Sequence, residues 1–123
     1  MPRLLALGFL MFPIIASAGD RSPTEEARIE YLLTTIASLH DAQFIRNGAS
    51  YDSAAAVNHL RLKLHAAGSR VQTAEDFIRY CATASSITGR PYEIWFSDGR
   101  RLTSADFFHQ KLLEFDQARS GSG

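Results

Sequence analysis

Two tight-turn signals, each lying between a short apolar run and a helix cap, constrain this chain more than anything else in it. Asn47-Gly48 follows "QFIR" and precedes "ASY", after which Asp52 opens a long apolar-periodic segment. Asn-Gly accepts the two positive φ values of a two-residue turn, so this stretch is predicted to form a β-hairpin feeding a helix. Asp98-Gly99, between "YEIWF" and "RRL", predicts a second hairpin, with Thr103 and Asp106 capping the helix behind it.

Each hairpin is also preceded by a helix start. Ser22, Pro23 and Glu25 open an amphipathic segment over residues 23–40, with Ile29, Leu32, Leu33 and Ile36 on one stripe. Thr73 with Asp76 opens another that carries Phe77, Ile78, Cys81 and Ala82. The helix after the first hairpin shows Val57, Leu60, Leu64 and Ala67, with Gly68 as its stop; the last shows Phe108, Leu112 and Phe115. An offset of 51 lays Asn47-Gly48 over Asp98-Gly99, Phe44 over Trp95, Ile45 over Phe96, Tyr51 over Leu102 and Asp52 over Thr103. The expected fold is therefore a small single α+β domain of four helices and two short hairpins. It is either a duplicated helix–hairpin–helix unit or common hairpin chemistry used twice.

Residues 1–18 read as a secretory signal peptide. Arg3 gives a positive start, residues 4–15 are apolar, and Ala16, Ser17 and Ala18 present small residues before a cleavage expected after Ala18. The apolar stretch is interrupted by Pro13 and is shorter than the roughly 20 residues of a spanning helix. Periplasmic or secreted localisation follows, with no transmembrane anchor after cleavage. The working protein is then residues 19–119 as one domain, with residues 120–123 as a flexible tail. Removal of Arg3 leaves twelve basic against thirteen acidic residues, mixed along the chain. That balance argues against a nucleic-acid partner, whose phosphates demand a basic face.

The order "FIRNG", "HLRLKL", "AAG", "TAEDFI", "SSITGRPY" resembles a family of small exported bacterial proteins described only as a domain of unknown function. The resemblance runs from about Tyr31 to Phe115. It implies export and carries over no catalytic residues. Members often have a Cys just before the first of these stretches, where this chain has Asp41, Ala42 and Gln43. A bridge between that position and the region of Cys81, were relatives to form one, has no partner here.

The residues that could carry chemistry lie mainly in the loop 85–93. Ser85, Ser86, Thr88, Arg90 and Tyr92, with Gly89 and Pro91 fixing the path, suit recognition of an anion or a sugar, or they simply end a helix and turn the chain. No histidine lies close by to act as base for either serine, and no nucleophile-elbow pattern is present. Arg46, beside the first turn, could hold a carboxylate of a partner or of this chain. Trp95 and Phe96 point to opposite faces of one strand, so one of them is a candidate apolar anchor unless both faces are covered. Cys81, the only cysteine, lies on a buried stripe and is either a small hydrophobe or a reactive thiol. His40, His59, His65 and His109 have no metal-binding spacing, and no cofactor motif appears.

The expected function is a small exported binding module acting on an envelope protein or component. Its contact surface would combine the second hairpin with the 85–93 loop, Trp95 or Phe96 as anchor and Arg90 as polar grip. The alternative is a small hydrolase or transferase using Ser85, Ser86 or Cys81.

Overall fold

The computed structural model describes residues 21–121, so the signal-peptide reading of residues 1–18 lies outside the described residues. Helix α1 (Pro23–Ala37) begins at the expected cap, with the Ser22 hydroxyl accepting from the Glu25 amide at 3.2 Å. It stops before residue 40: the Leu39 amide turns to the Ile36 carbonyl and the His40 amide to the Ser38 carbonyl, leaving the helical ladder. Strands β1 (Gln43–Arg46) and β2 (Ala49–Tyr51) follow, then α2 (Ser53–Ala67), capped by Asp52 and ended by Gly68 at φ 57°. Helix α3 (Ala74–Phe77) opens with a reciprocal Thr73–Asp76 capping box and continues as a π turn, Ile78–Ala82. Strands β3 (Glu93–Trp95) and β4 (Arg101–Thr103) lead into α4 (Ser104–Gly121), with Thr103 accepting from the Asp106 amide. This is the small α+β domain of four helices and two hairpins. The last helix extends to Gly121, into the stretch expected to be a tail.

The two hairpins join into one antiparallel sheet of order β2-β1-β3-β4. Phe44 pairs with Tyr51 and with Ile94, and Ile94 pairs with Leu102, so these four form a row across the sheet. Phe44 and Ile94 are buried, and the row packs into one core with Ile29, Leu32, Leu33 and Ile36 of α1 and Phe77, Phe108 and Leu112 of the other helices. Full burial of each such side chain is worth about 1.5–3 kcal/mol, so this row and the α1 stripe anchor the helices to the sheet.

The pairing is symmetric about Phe44–Ile94: Gln43 opposes Trp95 and Ile45 opposes Glu93. The two units are thus related by an approximate twofold axis, with one correction to the alignment read from sequence. Phe44 corresponds to Ile94, and Ile45 to Trp95, an offset of 50 before the turn, whereas Tyr51 still corresponds to Leu102 after it. The extra residue sits in the second turn. The first is the two-residue Asn47-Gly48 turn, at φ 53° and 81°. The second is a three-residue loop of Ser97, Asp98 and Gly99, closed by the Phe96 amide on the Arg100 carbonyl at 2.9 Å, with Gly99 at φ 94°. A one-residue slip exchanges the faces of a strand, so Trp95 takes the outer face and Phe96 turns inward onto Phe107.

Candidate functional site

Strand alternation places Arg46 on the same face as Phe44, toward α2. Its guanidinium lies 4.7 Å above the ring of Tyr51. Two side chains of α2, one turn apart, stand near it: His59, which lines a cavity with it, and Lys63 behind it. Lys63 Nζ donates to the Tyr92 hydroxyl and to the Ala84 carbonyl, both at 3.0 Å. The same hydroxyl lies 3.1 Å from His59 Nε2. With Lys63 donating to the tyrosine oxygen, the phenolic proton is free to go to His59. Burial first, then the charges of Arg46 and Lys63, pushes the His59 pKa down and favours the neutral ring this bond requires.

The loop 85–91 closes the corner. Ser85 is buried and acts as its knot: the hydroxyl oxygen accepts from Asn47 Nδ2 at 3.1 Å and from the amides of Ile87 and Thr88. Thr88 donates to the Asn47 side-chain oxygen and accepts from the Arg90 amide. Arg90 then lies over the first turn, its Nη1 3.7 Å from where a Cβ on Gly48 would stand. The loop therefore docks on the first hairpin. Of the residues singled out from sequence, Arg46, Ser85, Thr88, Arg90 and Tyr92 come together here, and exposed Ser86 sits in the same loop.

Trp95 does not join them. It lies at the far end of β3, on the outer sheet face, with Arg101 stacked 3.8 Å above its ring and its indole N–H donated to Glu93 at 2.7 Å. Cys81 is fully buried, and desolvation pushes its thiol pKa up. The histidine of this corner bonds Tyr92 rather than either serine, which leaves Ser85 and Ser86 without a base. Sequence reading missed His59 and Lys63, although their spacing of four puts both on one face of α2.

Several cations hold no carboxylate among the described residues, Arg101 against Trp95 being one, and three of them are residues of this corner. Among the described residues, Arg46, Lys63 and Arg90 have no carboxylate partner, whereas Arg28, Arg61, Arg100 and Lys111 each hold one. Arg70 and Arg79 share the ring of Tyr80. The second unit gives an internal comparison. At the positions matching Arg46, Tyr51, His59 and Lys63 it has Phe96, Leu102, Gln110 and Glu114. The same scaffold thus folds there without the cluster. Among the described residues, no three His, Cys, Asp or Glu side chains gather as metal ligands would.

An α+β domain of paired helix–hairpin–helix units, with a basic corner in its first unit, is the class this fold and site define. The chain belongs to a family of unknown function (DUF5329), whose model matches residues 23–116. It is also similar to the uncharacterized protein YfeK of Salmonella typhimurium, at 50% identity over 68 residues covering 55% of this chain. The match spans only 57% of that relative's length. No solved structure matches.

Proposed function

We propose that this chain is a small exported binding module, periplasmic or secreted, that recognises an anionic group on an envelope protein or other envelope component. The observation that carries the reading is that Arg46 and Arg90 flank the first turn, with Lys63 behind them on the Tyr92 hydroxyl, and that none of the three holds a carboxylate among the described residues. Like charges held together cost stability unless an opposite charge visits, and the second unit folds without them. Export rests on the layout of residues 1–18. A binding role is favoured over a hydrolase or transferase because Ser85 is fully engaged in holding its loop and Cys81 is sealed from solvent.

The test combines fractionation with capture. The tagged chain, expressed whole, is expected in the envelope-side fraction with its first 18 residues removed. Immobilised, it retains an envelope component that high salt releases and that an Arg46→Gln/Arg90→Gln variant of unchanged circular dichroism fails to hold. Full-length protein in the cytoplasm, or equal retention by the variant, overturns the proposal.

A further inference from the structure

We infer that the corner receives a carboxylate carried on a short aliphatic body, with the charge on Arg46 and the body in a cavity beneath it. The inference rests on the anion-binding reading above and names the class of group bound. A half-open cavity of about 50 Å³ lies between the first hairpin and α2. Its floor is apolar: Ile36, Phe44, Ala55 and Leu60. The space exceeds the roughly 10–15 Å³ that a single water needs and is small, room for a short chain, with its mouth open to solvent.

The polar lining is Arg46, Tyr51, His59, Tyr92, Glu93 and Ser104. Arg46 offers its guanidinium, oriented by the stack on Tyr51 and given no acceptor among the described residues. A planar fork of this kind grips a carboxylate through two parallel hydrogen bonds. His59 and Tyr92 stand beside it, with Lys63 behind the tyrosine. Of the remaining polar lining, Glu93 accepts from the Trp95 indole, whose outer sheet face it shares by strand alternation, and the Ser104 backbone amide donates to the Tyr92 carbonyl. A sugar in this space would leave several hydroxyls unpaired, and a phosphate would set polar oxygens against Phe44 and Leu60; both losses are costly. A carboxylate with an aliphatic tail matches rim and floor together. The C-terminus of a peptide ending in a small apolar residue and a free short-chain acid both present that chemistry.

The test uses protein purified from cells expressing the whole chain, titrated with butanoate, N-acetyl-alanine, butanamide and inorganic phosphate. The readout is the pair of His59 ring resonances, assigned with a His59→Asn variant. Butanoate or N-acetyl-alanine is expected to bind at least about ten-fold more tightly than butanamide, with the preference lost in Arg46→Gln. Ala55→Leu, which fills the cavity, is expected to weaken both carboxylates by about ten-fold and to leave phosphate unchanged. Tighter binding of N-acetyl-alanine assigns a peptide terminus; tighter binding of butanoate assigns a free acid. Phosphate binding as tightly as butanoate, with Ala55→Leu affecting neither, overturns the carboxylate inference and leaves the anion surface standing. No movement of His59 with any anion overturns both. Should circular dichroism show either variant unfolded, Arg46→Lys and Ala55→Val carry the same comparison.

Discussion

Arg28 is where the stability of this domain is most open to a single substitution. Its guanidinium joins three helices: Nη1 meets Glu25 at 2.8 Å, and Nη2 meets Glu75 and Asp116, both at 2.9 Å. Glu25 also accepts the amide of Ala74, the first residue of α3, at 2.8 Å. The Arg28 side chain is 13% exposed and that of Glu25 20%, whereas Glu75 and Asp116 are 58% and 43% exposed. Removing one partner of a fully buried pair costs about 3–5 kcal/mol, and an exposed pair contributes about 0–1 kcal/mol. Counting the Glu25 pair at about half the buried figure and the other two at about 0.5 kcal/mol each, Arg28→Met is expected to cost about 2.5–3.5 kcal/mol. For a domain of this size that is a fall of about 10–20 °C in Tm. Thermal and urea unfolding followed by circular dichroism measures it, with an unchanged urea m-value expected.

The acid limb gives a second readout of the same substitution. Glu75 is held below the usual carboxylate range, first by its hydrogen bonds from Arg28. A carboxyl with a lowered folded-state pKa contributes stability above its unfolded value, and loses that contribution as pH falls through the folded one. The wild type should therefore lose stability more steeply on acidification than Arg28→Met, and the two curves should converge at low pH. A loss below about 0.5 kcal/mol at neutral pH, or parallel curves, would mean that solvent screens the cluster and that apolar packing alone joins the helices.

Two further outcomes follow from the placement of the remaining residues. Ser85→Ala removes the acceptor shared by Asn47 and two loop amides and is expected to cost about 1–3 kcal/mol in urea unfolding, whereas Ser86→Ala should stay within about 0.5 kcal/mol. Equal effects would show that the hydroxyl does not hold the loop. Cys81 should resist a thiol reagent at neutral pH in the folded protein and react only as denaturant unfolds it. Rapid labelling without denaturant would overturn the burial argument.

What the sequence disclosed was short-range. Ser22, Asp52, Thr73 and Thr103 cap the helices they were expected to cap, because a cap bonds an amide only a few residues away. Asn47-Gly48 makes its two-residue turn for the same local reason. Asp98-Gly99 misled, since it also fits a three-residue loop with Gly at the positive-φ position, and the choice changes which of Trp95 and Phe96 faces inward. The π turn at Ile78–Ala82 has no simple periodic signature. The ion cluster on Arg28 spans sequence separations of 47 and 88 residues, which no pattern in the chain announces. At the site, Arg46 and the 85–92 residues stood out by type, yet only the tertiary fold shows that their loop meets the first turn.

The near-symmetry of the two units separates what the fold requires from what it merely carries. Each hairpin needs an apolar residue at the centre of its inner row, and both have one: Phe44 and Ile94 face each other across the axis. Beyond that row the second unit continues with apolar packing, placing Phe96 against Phe107 beside Leu102. At the matching inward position the first unit places an arginine, supports it with a tyrosine ring, and faces it with a histidine and a lysine. Apolar residues serve at the positions of Arg46 and Tyr51 in the second unit, where Phe96 and Leu102 pack, and Gln110 and Glu114 replace the histidine and the lysine. Each unit has a hollow at this place, and their linings differ: Ala55 and Ala56 stand in the first where the second has Asp106 and Phe107, and Arg46, Tyr51 and His59 where the second has Phe96, Leu102 and Gln110. Cations without a carboxylate partner among the described residues and a cavity lined by Phe44 and Leu60 occur at the same corner, in the unit whose turn is covered by the Ser85 loop. That coincidence is what the proposed recognition of an anionic group rests on.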